Sequence, residues 1–593
     1  MSRLVIDPVT RIEGHLRVEV QVDAGRVTEA YASSTMWRGI ETIVEGRDPR
    51  DAWLFAQRIC GVCTTVHALA SVRAVEDAVG AVPPRNARLL REIIAAALFV
   101  HDHVVHFYHL QALDWIDPTA ALKADPARTA SLAQSISDYP RSTAKLFASV
   151  QARLGAFLAS GNIGPFTNGY WGHPAYRLSP ELNLLAFSHY LDALDFQREY
   201  VRVHALLGGK NPHPQTYVVG GMASPIDLTS QEAINDNTLA ELAQLLTRGL
   251  DFVDKVFLPD LYAIAAGYPE WTRYGAGLGS YMVFGDFAQA PQPKGRPQAG
   301  GLFPGGIIRD ANLSSVEPFD PARIAESVAH SWFRYDNVGN NGGANAGNKA
   351  GAKNAGHGAS AALAPWKGQT TPDYTGPKPP FAHLDVDGKY SWLKAPRYDG
   401  IAVEVGPLAR MLVGYASGDA RIRPLVKGAL DRLHLPPTAL MSTLGRVLAR
   451  GLETKLMAQY SLELLDRLRE NVGSGDLTIA DTSKWHPSTW PTGRARGVGF
   501  HEAPRGSLSH WVVITNERIS NYQAVVPTTW NASPRDERGN PGAYESALVG
   551  TPVLDPRRPL EVLRTLHSFD PCMACAAHVY DADGRDIIEV RVQ

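Results

Sequence analysis

The sequence predicts an α+β fold, predominantly α, with a large central bundle of long helices and small peripheral β-sheets at the N- and C-terminal regions. Three observations predict it. Apolar residues recur at helical spacing from Leu89 through Trp115 and over stretches near 178–207, 229–266 and 438–472, all longer than a usual helix. Residues 4–31 alternate as strands do. Short alternating runs return at Trp511–Ile514 and Ala524–Val526.

Taken in order, Leu16-Arg17-Val18-Glu19-Val20-Gln21-Val22 is a strand, and Asp23-Ala24-Gly25 is its turn. Arg11-Ile12-Glu13-Gly14-His15 interrupts that pattern with charge. From Asp51 the period becomes helical and carries a Cys-x-x-Cys pair between Ala56 and Val79, and Pro84 opens the next helix. Residues 289–306, rich in Pro, Gly and Gln, read as a loop. Residues 338–364 form a Gly/Ala/Asn tract too poor in apolar area to order itself, a flexible surface insertion in a single large domain spanning 1–593. A linker between two domains is the lesser reading, since both flanks are similarly helix-rich. No internal repeat is found. A turn at Val579–Gly584 followed by Ile587–Val592 reads as a terminal hairpin.

Composition excludes several classes. The chain is 45% hydrophobic and 20% charged, an ordinary globular balance, and its net charge of −2 offers no basic surface for nucleic acid. The N-terminus lacks the apolar core of a signal peptide. The apolar run Ile93–Val100 stops at His101-Asp102, too short to span a bilayer. On its own the polypeptide reads as soluble and made in the cytoplasm.

The 4 cysteines all fall in two pairs, Cys60-Gly61-Val62-Cys63 and Cys572-Met573-Ala574-Cys575. That is too few for a disulfide framework, and two such pairs can close a tetrahedral sulfur site. Spacing alone leaves three readings open: a structural zinc site, a redox dithiol, or a catalytic site for a soft redox metal. So long a chain does not need a zinc staple, and the distance between the pairs is long for a zinc ribbon, which moves weight toward catalysis.

The flanks decide between them. Arg58-Ile59-Cys60-Gly61-Val62-Cys63 with His67, and Asp570-Pro571-Cys572 with Cys575 and His578, resemble the two signature motifs of the nickel–iron hydrogenase large subunit. The resemblance covers essentially the whole chain. It takes in Arg11–His15, Trp37-Arg38-Gly39-Ile40-Glu41, Glu502-Ala503-Pro504-Arg505-Gly506 and Val525-Val526-Pro527-Thr528-Thr529-Trp530-Asn531. Gly208-Gly209-Lys210-Asn211-Pro212-His213-Pro214 is similar to the membrane-bound respiratory uptake branch.

This resemblance implies a nickel–iron centre whose iron carries carbon monoxide and cyanide. Cys60 and Cys572 would be terminal nickel ligands, with Cys63 and Cys575 bridging to iron. Glu13 would relay a proton from Cys572, although the local sequence alone favours a pairing of Glu13 with Arg11 or another cation. Arg505 would sit over the metals, held by Asp102 and Asp570; an ordinary buried ion-pair network is the plainer alternative. Pro504 and Thr528 would contact the diatomic ligands, Thr528 by donating to cyanide. Glu41, the carbonyl of Ala524 and His578 would bind Mg2+. His67 would hydrogen-bond a bridging thiolate, and His213 would lie at the partner interface near the electron exit.

With all four cysteines spent on nickel, the resemblance places iron–sulfur clusters only in a partner small subunit. It implies oxidation of hydrogen to protons and electrons passed to that subunit, then to a membrane cytochrome or quinone-linked acceptor. It implies a maturation chaperone and an endopeptidase that removes Val579–Gln593 after nickel insertion, a cut that would let the Cys572–Cys575 strand fold inward and close the site. Location would be membrane-associated on the periplasmic side, reached on the partner's export signal. A hydrogen-sensing regulatory subunit is the alternative within the family; the non-catalytic relative in the quinone-reducing respiratory complex, which lacks these cysteines, and a structural zinc protein lie further off.

Overall fold

The computed structural model describes residues 2–161, 166, 169–335, 362–368, 370–376 and 383–573. Strands β1 (Ser2–Ile6), β2 (Leu16–Asp23) and β3 (Arg26–Ser34) form an antiparallel sheet in that order. Its β2–β3 turn has Ala24 and Gly25 at φ 47° and 73°, the left-handed pair whose twist suits a two-residue hairpin. Arg17 and Glu19 share one buried face of β2 and can do so because Arg17 Nε donates to Glu19 Oε1 at 2.8 Å.

The expected long helices are present. They are α1 (Val66–Val79), α2 (Arg85–Val105), α3 (Pro180–Tyr200), α4 (Asp236–Phe252) and α6 (Thr443–Gly473); two shorter helices outside the expected stretches, α5 (Pro407–Ala416) and α7 (Leu560–Ser568), join them. α6 is roughly 46 Å long at 1.5 Å per residue. It packs against α2, α4 and α5, and the largest apolar cluster fills the space between them. Ser442 starts α6 by accepting from the Gly445 amide, and Ser179 with Pro180 does the same for α3. α4 continues through a π-helical turn, Val253–Phe257, into Leu258–Gly267.

Three sequence expectations change here. The first cysteine pair is not inside a helix: a 3-10 turn, Gln57–Ile59, ends at Cys60, and α1 begins only at Val66. Gly61 and Val62 stand exposed at the bend while both thiols turn inward, so the helical spacing on either side belongs to two separate elements. Second, the apolar run at Ile93–Val100 does not stop at Asp102. Arg85–Asp114 is one continuous 30-residue helical stretch, the one among the described residues long and apolar enough to cross a membrane by length and composition. It lies mostly buried against α6, and Asp102 finds its partner inside the protein.

Third, the C-terminal strands are longer and more numerous than the alternation implied. β4 (Arg494–Ala503), β5 (Gly506–Thr515) and β6 (Arg518–Val525) form a sheet in that order. β4 was hidden by its glycines. A Cβ at Gly499 would lie 1.9 Å from the Ala70 carbonyl oxygen, and one at Gly497 would lie 2.1 Å from that of Ala74. Glycine lets α1 rest directly on β4, which is how the helix behind the first cysteine pair is docked. Gln292, in the expected 289–306 loop, covers the free edge of β4 by accepting from the Phe500 amide at 2.8 Å. The 338–364 tract lies outside the described residues except at its end, where Leu363 pairs with Glu326. The expected terminal hairpin, 579–592, lies outside them altogether.

Glu545 ties the N-terminal sheet to the rest. Its Oε1 accepts from the Ala32 amide at 3.0 Å and the Tyr390 hydroxyl at 2.9 Å, while buried Oε2 has no hydrogen-bond partner among the described residues and lies 3.7 Å from Arg535 Nε. Burial pushes this carboxyl up to about 7. Between its ordinary value of 4.5 and about 7 the folded chain therefore holds a proton that the unfolded chain has released. Stability from this group falls as pH rises through that window. Glu545→Gln should flatten that part of the stability profile in a denaturation series; an unchanged slope would refute the assignment.

Candidate metal centre

Two chain segments deliver three thiols to one point. Cys60 and Cys63 come from the bend before α1, and the Cys63 amide donates to Cys60 Sγ at 3.2 Å. Their place at the start of α1 sets them near its positive end, a favourable neighbour for thiolate charge. Cys572 comes from the segment after α7. Its sulfur lies 3.4 Å from that of Cys60, and the three sulfurs are buried within 4.8 Å of one another. The second cysteine segment thus reaches the first pair through Cys572. Cys575 and His578 lie outside the described residues.

Glu13 reaches this point through its backbone. Its amide donates to the Pro571 carbonyl at 3.3 Å, and its carbonyl accepts from the Met573 amide at 2.7 Å, a parallel bridge beside Cys572. The side chain follows, with Cys572 Sγ donating to Glu13 Oε2 at 3.3 Å. The local pairing of Glu13 with Arg11 does not form, because Arg11 turns away to Asp114 at 2.5 Å.

Arg505 sits at the tip of the β4–β5 hairpin. Ala503 pairs with Gly506, so Pro504 and Arg505 are the whole turn, and Gly506 at φ 137° accommodates it. The tip is buried beside the thiols and lines a small cavity with Cys63, His67, Val526, Thr528 and Cys572. Arg505 Nη1 donates to Asp102 Oδ2 at 2.9 Å, and Nη2 lies 3.0 Å from Asp570 Oδ1. Burial lifts Asp102 to about 7 against the pull of the guanidinium. Arg505 keeps its charge: burial opposes it, but Asp570, Cys572 and Asp102 outweigh that.

Among the described residues the donor set fits a soft, redox-active metal: three buried sulfurs converge, with a cavity at their side. Comparison with known proteins agrees. A family model described as "Nickel-dependent hydrogenase" matches residues 38–578, and one described as "HoxL-like" matches 3–33. The chain belongs to the nickel-dependent hydrogenase large-subunit family. It is 49% identical to the uptake hydrogenase large subunit of Bradyrhizobium diazoefficiens, covering 100% of this chain and 98% of that one. It is 47% identical to the hydrogenase-1 large chain of Escherichia coli, covering 100% and 97%. Among solved structures it is similar to the Ni-Fe-Se hydrogenase of Desulfovibrio vulgaris Hildenborough in the reduced state. There the TM-score is 0.72 at 33% identity, over 97% of this chain and 100% of that one.

The remaining candidates are arranged less simply than the family resemblance implied. Thr528 Oγ1 accepts from the Cys572 amide at 3.2 Å, which leaves its hydroxyl proton for another acceptor. His67 makes no hydrogen bond to a described thiolate. Its Nδ1 pairs with His510 Nε2 at 3.0 Å, and Nε2 has no partner among the described residues. Burial pushes His67 down to about 4, so the ring is neutral. Glu41 Oε1 accepts from the Ala524 amide at 2.8 Å and lies 3.2 Å from Lys394 Nζ. Lys394 in turn reaches Glu326 at 3.2 Å and Gln523 at 2.8 Å. His213, at φ 63°, donates its amide to Thr64 and lies over Gly61, against the first cysteine bend.

Sequence reasoning missed Lys394, Glu326 and a buried ion network behind Arg505 made by Arg410, Glu453 and Glu502. One signal was there. Arg410 stands alone inside the apolar run Leu408-Ala409-Arg410-Met411-Leu412-Val413 of a helix that is buried all round.

Proposed function

We propose that this chain is the catalytic large subunit of a nickel–iron uptake hydrogenase, oxidising H2 to two protons and two electrons passed to an iron–sulfur small subunit. The observation that carries the reading is the meeting of Cys60, Cys63 and Cys572 beneath Arg505, with Glu13 at the sulfur of Cys572. Cys60, Cys63, Cys572 and Cys575 would hold the nickel–iron centre, which when bound supplies the redox site at which hydrogen is cleaved.

The chain's own residues do the rest. Cys572 Sγ can hand a proton to Glu13 Oε2, and a half-buried carboxylate with one end toward the sulfur is placed to receive it and pass it on. Arg505, kept charged and aimed by Asp102 and Asp570, fixes a positive potential over the sulfurs and cannot serve as an ordinary proton carrier. Pro504 and the free hydroxyl proton of Thr528 line the space where carbon monoxide and cyanide on iron would sit. Glu41, the Ala524 carbonyl and His578 would bind Mg2+ nearby.

The finer assignments extend the same reading. A chaperone loads the metals and an endopeptidase then removes Val579–Gln593. The mature pair faces the periplasm at the membrane and delivers electrons to a cytochrome or quinone-linked acceptor. Purified heterodimer should reduce viologen under hydrogen and contain nickel. Matured protein with one zinc per chain, no nickel and no hydrogen-dependent reduction would sink the proposal.

A further inference from the structure

The turn that carries Arg505 raises a problem of its own. Pro504 and Arg505 are the tip of a hairpin, and hairpin tips normally satisfy their outward carbonyls with water. This tip is buried, so the carbonyls of Ala503 and Pro504 need donors from the protein.

Arg410 supplies them. Its Nη1 donates to the Ala503 carbonyl at 2.9 Å and its Nη2 to the Pro504 carbonyl at 2.8 Å. The other three N–H groups are equally committed: Nε to Glu453 Oε2 at 2.7 Å, Nη2 to Glu453 Oε1 at 2.6 Å, and Nη1 to Glu502 Oε2 at 2.7 Å. All five donors of the guanidinium are therefore used, on a side chain with no solvent exposure. Two rings fix its plane, Phe99 and Phe303, with the guanidinium carbon 5.2 and 5.1 Å from their centroids.

The surrounding chain is built to the same purpose. α5, which carries Arg410, starts against the tip: a Cβ on Gly406 would lie 2.8 Å from the Arg505 carbonyl oxygen, and one on Gly506 would lie 2.8 Å from the Gly406 nitrogen. α2 supplies Phe99 against Arg410, His103 to Glu453 at 2.9 Å, and Asp102 to Arg505. One helix thus registers both guanidinium groups.

We propose that Arg410 is a positioning residue that holds the Ala503–Pro504–Arg505 turn, and through it the Arg505 guanidinium, over the thiol cluster. This rests on the reading of the cluster as the hydrogen-splitting site. A lysine would keep the charge between Glu453 and Glu502, but it has three donors on one atom and cannot span two carbonyls and two carboxylates.

The test is R410K in the matured heterodimer. Hydrogen-dependent turnover should fall about ten- to a hundredfold at unchanged KM for hydrogen, with wild-type nickel content and thermal midpoint. Amide hydrogen exchange should quicken in the peptide spanning Glu502–Ser507, a readout that does not depend on metal or turnover. In an R505K background R410K should cost little more, because both act through one group. Additive losses, or exchange in that peptide unchanged, would make Arg410 an ordinary core ion and overturn the proposal. Should R410K fail to accumulate, R410M/E453Q keeps the buried net charge and is read by the same exchange and additivity criteria. Loss of nickel from wild-type protein would instead count against the hydrogenase reading itself.

Discussion

Glu13→Gln should lower hydrogen-dependent turnover by about 10²–10⁴-fold, the range that separates a positioned proton acceptor from none. Glutamine keeps the shape, and its carbonyl oxygen can still accept from Cys572 Sγ at the 3.3 Å seen for Glu13 Oε2. It cannot take the proton. Glu13 is also tied to Pro571 and Met573 through its main chain, so the substitution leaves the pairing of the two segments intact. Nickel content should therefore equal that of the wild type. Turnover unchanged within a few-fold would show that protons leave by another route, and metal lost along with turnover would mean that the side chain is structural.

Cys572→Ser should abolish both nickel and turnover. Serine replaces a polarisable sulfur with a hard oxygen that stays protonated at neutral pH, and soft metals discriminate strongly against it. The position also joins several parts of the site: its sulfur meets Cys60 and Glu13, and its amide donates to Thr528. The amide bond and the bridge to Glu13 are main-chain features and should survive. The variant should therefore fold with a near wild-type thermal midpoint in the metal-free state. Nickel at wild-type stoichiometry in this variant would remove Cys572 from the ligand set.

The parts of this molecule that could be read from the sequence are those where one physical cause leaves one periodic or local trace. The long helices announce themselves because their apolar faces must meet a common core, and Ser179-Pro180 and Ser442 mark their starts. The pairing of all four cysteines marked a sulfur site but left its metal open, and Glu13 and Arg505 could be singled out only through the family resemblance of their motifs, since the local sequence is equally met by an ordinary ion pair. What escaped depends on distant packing. β4 carries glycine where α1 rests on its backbone, so the alternation that marks a strand is missing there. Lys394 is an unremarked lysine until the fold sets Glu41 and Glu326 on either side of it. The helical spacing around Cys60 misled because the helical turns of Ala52–Ile59 and the separate helix Val66–Val79 flank the bend on either side.

The bridge between Glu13 and Cys572 has a consequence for the order of events during synthesis. A growing chain possesses Glu13, Cys60 and Cys63 long before it possesses the partner strand around Cys572 that aligns Glu13. Closing a loop that spans nearly the whole polypeptide is slow and entropically opposed until the intervening helices have packed. An incomplete or misfolded chain therefore presents two sulfurs and no third, and the carboxylate meant to serve them has nothing to pair with. The protein's most reactive chemistry is assembled only by a chain whose intervening fold already stands.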